Sequence, residues 1–261
     1  MPDLKAIVLD LDGTLLNKSG VVSKRNKDYL LEQKEKGVKI ILATGRPINM
    51  TVAIHEQLQL NTPMICLNGA VVYDRVIQQV VNDEPIGNHL VDEVYDKVTD
   101  HAELIISHTS KYNYQVHSKQ GNSLFDMWGL ANEDVDKDEP ILKVMVDFES
   151  QTVALDLADQ INPQLQIINW GASVEITKKP VTKWHSLKRI LDQYGIAPQE
   201  TAAFGDGPND IEMLRNVGIG VAMGNGLSEV KSATKFITAS HEEDGVTEFL
   251  FQYQKNSGLT I

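Results

Sequence analysis

The chain has a single cysteine, Cys66, among 261 residues. That excludes an intramolecular disulfide framework and a cysteine-based zinc site. Basic residues are in the minority, with 24 Lys+Arg against 36 Asp+Glu and a formal charge of −12. Without a basic excess to release counterions, nucleic acid and anionic lipid are disfavoured partners. No apolar run approaches the roughly 18 residues of a membrane span. The opening stretch, MPDLKAIVLDLDG, carries acids inside its apolar run, unlike a signal peptide. Repeats and low-complexity tracts are lacking, and the seven histidines show no metal-ligand spacing. What is present is ordinary globular material, 42% hydrophobic and 23% charged. The expectation is an acidic, soluble, cytoplasmic protein, monomer or homodimer, acting on neither nucleic acid nor membrane.

Apolar β-rich runs alternate with helical patterns from the start. Residues 4–10 read as a strand, and Ser23 caps a helix that Gly37 ends. Residues 38–43 form the next strand, Pro47 opens a helix to about Leu60, and residues 64–67 form a third strand. The rhythm implies a parallel sheet with helices on its faces. It returns late in the chain: helix 182–194, strand 201–204, helix 210–216, strand 217–222 and a last strand 235–238. Between the halves the texture changes. Residues 71–81 look like a hairpin, and strand-like runs at 112–117, 143–148, 165–170 and 174–177 alternate with helical stretches. The fold class is therefore α/β, a Rossmann-like parallel-sheet core over residues 1–82 and 180–261, interrupted by an α+β module over 83–179.

In open α/β sheets ligands bind outside the carboxyl ends of the strands. Those ends carry Asp10-Leu11-Asp12-Gly13-Thr14, Thr44-Gly45-Arg46, Asn68-Gly69 and Gly205-Asp206-Gly207-Pro208-Asn209-Asp210. Four carboxylates converging on one sheet edge repel unless a cation sits among them. A hard divalent ion with oxygen ligands fits, and Mg²⁺, held by a few carboxylates, water and phosphate, fits best. Thr44 and the amide of Gly45 stand where phosphate oxygens would bind at a helix start. Lys183 is placed to add positive charge. The residual negative charge favours a raised pKa on one acid, which suits a general acid.

These strings resemble the haloacid dehalogenase superfamily. The DLDGT run from Asp10 resembles its first motif, while Thr44, Lys183 and the GDGPND run from Gly205 match the other three in order. LATGR, LNGA, VAMGNG and DGV further resemble its Cof-type phosphatases, whose large α+β cap corresponds to residues 83–179. The resemblance implies phosphate-monoester hydrolysis through an aspartyl-phosphate. Asp10 would be the nucleophile and Asp12 the general acid and base. Asp10, Asp206 and the main-chain carbonyl of Asp12 would hold Mg²⁺, with Asp210 supporting it directly or through water. Thr44, Gly45 and Lys183 would bind the phosphoryl group and Asn209 would orient the site, while Arg46 and Asn68 complete the substrate-binding candidates. The substrate would be a small phosphate ester, a sugar phosphate first, then flavin mononucleotide or pyridoxal phosphate. A phosphotransferase or mutase, and a non-catalytic phosphate-binding module, remain alternatives on the same fold. This chain departs from the usual pattern at Trp184, where a glycine normally follows the lysine.

The other conspicuous residues have plainer readings. Arg46 reads first as a structural ion pair, and His185 as a solvent-facing helix position. Trp128, Trp170 and Tyr112 are expected to pack within the cap, and Cys66 to lie in the core. The acidic run at 132–139 lacks the glycine and terminal glutamate of a calcium loop and reads as a solvated linker.

Overall fold

A computed structural model describes residues 4–119 and 138–257. Trp128 and residues 132–137 lie outside the described residues. The chain order is β1 (Ala6–Leu9), α1 (Lys24–Glu35), β2 (Lys39–Leu42), α2 (Ile48–Gln57), β3 (Met64–Cys66), β4 (Val71–Asp74) and β5 (Gln79–Asp83). Next come α3 (Asn88–Val98), β6 (Ala102–His108), β7 (Asn113–Ser118), β8 (Lys143–Phe148), α4 (Gln151–Ala158), β9 (Leu165–Asn169) and β10 (Ser173–Lys178). The chain closes with α5 (Lys183–Tyr194), β11 (Thr201–Gly205), α6 (Ile211–Asn216), β12 (Ile219–Ala222), α7 (Ser228–Ala233), β13 (Phe236–Ile237) and α8 (Gly245–Ser257).

The first sheet is parallel, in the order β13-β12-β11-β1-β2, with Ala6 opposite both Lys39 and Thr201. Apart from Lys39 and Thr201 at the strand starts, the strands β1, β2, β11 and β12 carry no polar side chain, as a sheet buried on both faces requires. Ile7, Leu9, Ile40, Leu42 and Phe204 pack on one face with Leu30 of α1, Ile54 of α2 and Leu250 of α8. Ala6, Val8, Ile41 and Ala203 alternate with them and pack against Leu187 and Leu191 of α5 and Met213 of α6. Removing one such buried leucine side chain costs about 2–5 kcal/mol. The expected third parallel strand differs. Ile65 makes one parallel bridge to Ala43, but β3 pairs chiefly with β4 in an antiparallel sheet that continues to β5.

The helix ends follow their sequence signals. The Ser23 hydroxyl accepts from the Asn26 amide at 3.0 Å, and Gly37 follows with φ +94°. The Thr182 hydroxyl accepts from the His185 amide at 3.1 Å and so starts α5 at Lys183.

Strands β6 to β10 form an antiparallel sheet in the order β7-β6-β8-β10-β9. Val144, Val146, Val174 and Ile176 point to α3 and α4 and make a separate apolar cluster with Leu90, Val94 and Ala154. The period of two sends the alternate residues Lys143, Met145, Ser173 and Glu175 to the opposite face, where they line a cavity over the ends of β1, β2 and β11. Three elements are additions to the sequence reading: strand β6, helix α7 and the C-terminal helix α8. No helix among the described residues is long and apolar enough to cross a membrane.

Candidate active site

The parallel strands deliver the polar groups. Asp10 follows β1 with its amide donating to the Phe204 carbonyl at 3.1 Å, which continues the ladder to the carboxyl edge of the sheet. Thr44 follows β2, with its amide on the Ile65 carbonyl at 2.9 Å. Asp206 follows β11. Gly13 turns the chain back between them at φ +71°, where a Cβ would lie 2.1 Å from Asp206 Oδ2. Only glycine fits that approach.

Lys183, the first residue of α5, is fully buried. Its Nζ donates to Asp10 Oδ1 and Asp210 Oδ1, each at 2.7 Å. Desolvation disfavours its charge, but the two carboxylates outweigh that and hold the ammonium above its ordinary range. Trp184, the residue in place of the usual glycine, is half-buried against the apolar cluster below the sheet. The departure thus adds packing behind the lysine without displacing it.

Asp10, Asp206 and Asp210 bring carboxylate oxygens within 4.8 Å of one another. Burial pushes the Asp10 carboxyl well above its usual range. Lys183 opposes the shift, while Asp210 and Asp206 add to it. Asp206 is raised to about 6 by burial and then by the Asp210 charge. Three carboxylates therefore face one ammonium, and only hard oxygen donors converge there. These residues fit a hard divalent cation. Asp210 is the most committed of the three. Its Oδ1 takes Lys183, and its Oδ2 accepts from the amides of Asp206 and Gly207, both at 3.0 Å.

The Asp12 carboxylate points elsewhere and stands outside that cluster. Arg46 grips it with Nε at 2.7 Å and an Nη at 2.6 Å, a bidentate pair at the cavity wall. The structural ion pair expected of Arg46 is thus present, and it engages the residue assigned as general acid. Thr44 is buried, and its hydroxyl accepts from the Arg46 amide at 3.1 Å, leaving the O–H proton to donate into the cavity.

The cavity measures about 570 Å³, within the range of small-ligand sites. Asp10, Asp12, Thr44, Gly45, Arg46, Asp206 and Asn209 all line it. Asn68 does not. It is buried in the left-handed region at φ +58°, with Nδ2 on Glu175 Oε2 at 2.9 Å and Oδ1 taking Asn209 Nδ2 at 2.8 Å. It joins the core to the antiparallel sheet. Lys143 makes a second tie, donating to the Gly45 carbonyl at 2.8 Å and pairing with Glu175 Oε1. Burial pushes Glu175 up, but Lys143, Asn68 and Trp170 outweigh it and hold the carboxyl below its usual range.

Several contributors were not legible beforehand. His108, Lys143, Met145, Ser173 and Glu175 sit on the sheet face turned to the site, and period-two alternation in β8 and β10 is the signal that places four of them there. Asn225 donates to the Gly13 carbonyl at 2.7 Å and bolsters the turn beside Asp206. Trp170 corrects an expectation. It does not pack within the cap alone: it lines the cavity, donates through Nε1 to Glu175 at 3.1 Å, and meets Gly207, where a Cβ would lie 2.5 Å from Cη2. Cys66 is buried in the core as expected, with its thiol pushed up to about 12 by burial. His185 lies half-buried on α5, 3.6 Å from Glu84.

A parallel α/β sheet presents carboxylates and a buried lysine at one edge, with an antiparallel sheet facing them across the cavity. The chain belongs to the haloacid dehalogenase-like hydrolases, whose family model matches residues 7–250. It is 30% identical to the 5-amino-6-(5-phospho-D-ribitylamino)uracil phosphatase YitU of Bacillus subtilis, with 95% of this chain and 96% of that protein aligned. The pyridoxal phosphate phosphatase YbhA of Escherichia coli is 26% identical, with 95% and 98% aligned. Among solved structures, the subclass IIB sugar phosphatase BT4131 superposes with a TM-score of 0.83 at 26% identity, covering 95% of this chain and 98% of that one.

Proposed function

We propose that the protein is a Mg²⁺-dependent phosphatase that hydrolyses small phosphorylated metabolites through an aspartyl-phosphate on Asp10. The observation that carries this is the floor of the cavity, where Asp10 is held by Lys183 at 2.7 Å beside Asp206 and Thr44. Mg²⁺, when held by Asp10, Asp206 and the main-chain carbonyl of Asp12 with Asp210 behind them, supplies the positive charge that three carboxylates and a phosphate dianion lack.

Asp10 attacks phosphorus, the bond from phosphorus to the ester oxygen breaks, and Asp12 gives its proton to the departing alkoxide. Asp12 then takes a proton from water, whose oxygen opens the phospho-aspartate and releases inorganic phosphate. Lys183, the Thr44 hydroxyl and the Gly45 amide hold the phosphoryl oxygens, so catalysis is mainly positioning and charge neutralisation. Arg46 orients Asp12, and Asn209 and Asn68 keep the loops in register. Residues 83–179 act as the cap over a core of residues 1–82 and 180–261, excluding water during attack.

The relatives act on a ribityl phosphate, pyridoxal phosphate and a sugar phosphate. That range supports small phosphorylated metabolites as the class, with sugar phosphates first. The test is phosphate release by the purified protein with Mg²⁺ across a panel of such esters, ranked by kcat/KM. Hydrolysis of several, with one preferred, is expected. Transfer to an acceptor alcohol faster than hydrolysis would instead make the protein a phosphotransferase.

A further inference from the structure

The cap wall holds a histidine that the hydrolytic steps do not use. His108 ends β6, is 1% exposed, and lines the cavity with Met145 and Lys143. Its Nδ1 lies 2.9 Å from Asn113 Oδ1. An amide oxygen only accepts, so Nδ1 carries the proton and Nε2 keeps its lone pair. The Asn113 amide is itself oriented, because its Nδ2 donates to Asn49 Oδ1 at 3.1 Å on the core side. Among the described residues the Nε2 lone pair has no hydrogen-bond partner. A buried acceptor left unsatisfied costs about 1–3 kcal/mol, so such atoms are usually matched by something that binds.

Burial, together with the Lys143 charge, lowers the imidazole pKa to about 3, so the ring is neutral at ordinary pH and offers no cation. The other polar groups of this wall are spoken for. Lys143 is engaged by Glu175 and the Gly45 carbonyl, and Ser173 by Asp147. Met50 and Met145 line the same cavity, and unbranched thioether chains yield readily to an incoming group.

We propose that His108 is a specificity-determining residue, whose Nε2 accepts a hydrogen bond from a hydroxyl or N–H of the leaving group. The substrate class is then a phosphate monoester of a neutral, donor-bearing alcohol rather than of an alkyl chain or a second anion. This deepens the phosphatase reading and rests on it. A site that hydrogen-bonds a donor rejects the analogue lacking it more strongly than an apolar pocket rejects an extra methylene.

The probes are ribitol 5-phosphate and pentyl phosphate, monoesters of equal chain length with and without hydroxyls. Binding is read by calorimetry with Mg²⁺ in an Asp10→Asn background, where turnover is blocked. The protein with His108 intact should bind the polyol ester at least about tenfold more tightly. His108→Leu, close in volume but without an acceptor, should bring the ratio of dissociation constants near one, and His108→Gln, which keeps an acceptor, should retain part of it. Should His108→Leu fail to fold, partial retention by His108→Gln against none by His108→Phe decides the same point. An unchanged ratio in the acceptor-free variants, or no preference with His108 present, overturns the assignment. The phosphatase reading fails separately, if the unaltered protein does not hydrolyse p-nitrophenyl phosphate.

Discussion

Burial draws Asp10 and Asp206 toward their protonated forms, and the Lys183 ammonium opposes it at close range. The consequence for stability has a definite sign. A carboxyl raised from 3.8 to about 6 lets the folded, metal-free protein keep a proton that the unfolded chain has already released. The stability this group contributes is present below pH 3.8 and is lost as pH rises to about 6. Mg²⁺ acts in the opposite sense, because it needs the carboxylates ionised. Thermal unfolding with Mg²⁺ or with EDTA should therefore show a stabilising increment above pH 6 that shrinks toward pH 3.8. An increment equal at both ends would contradict the cation site. At this scale the four aspartates, Thr44 and Lys183 were legible because strand ends and glycines locate them. The raised pKa was expected on a general acid. It is found on Asp10 and Asp206, because those two are buried beside Asp210.

Among the elements, α5 matters most to the site because its first residue is Lys183. Its start rests on two local devices, the Thr182 cap and the close approach of Gly69. Gly69 has φ +101°, and a Cβ there would lie 2.1 Å from the Thr182 carbonyl oxygen. Gly69→Ala should push the start of α5 away, moving Lys183 off Asp10. We expect a loss of about 1–3 kcal/mol in urea unfolding, accompanied by a fall in kcat. Normal kcat with lowered stability would show that the lysine tolerates the shift. Most elements of the parallel sheet could be read from the chain, since buried strands between capped helices leave strong signals. Strand β6 was harder: AELIISH follows a helical pattern with no glycine or proline between them, so nothing in the local sequence marks where one ends. The third strand was found, but its pairing with β4 depends on the hairpin beyond it and not on its own residues.

At the scale of the whole molecule, the two sheets meet through a short chain of polar contacts: Gly45 to Lys143, Lys143 to Glu175, Glu175 to Asn68 and Asn68 to Asn209. Each link joins residues far apart in sequence, so alternation in β8 and β10 gives the face of Lys143 and Glu175 but not their partners across the cavity. Removing the charge with Glu175→Gln leaves Lys143 buried without its partner and loosens the roof over the cavity. The expected outcome is a loss of about 3–5 kcal/mol in stability, with kcat/KM reduced by about tenfold or more. An unaltered kcat/KM would mean that the antiparallel sheet is positioned by other contacts. The charge of −12 also takes on structure at this scale. Three of the acids share the core edge with one lysine, so part of the negative excess belongs to the site.

The central claim is that Asp10 is the nucleophile of a Mg²⁺-dependent phosphatase, and hydrolysis of p-nitrophenyl phosphate by the unaltered protein and by Asp10→Asn tests it most directly. The account predicts turnover that requires Mg²⁺ and falls by about a thousandfold or more in the variant, whose fold should persist. Turnover that survives the substitution unchanged, or that proceeds equally well in EDTA, would contradict it.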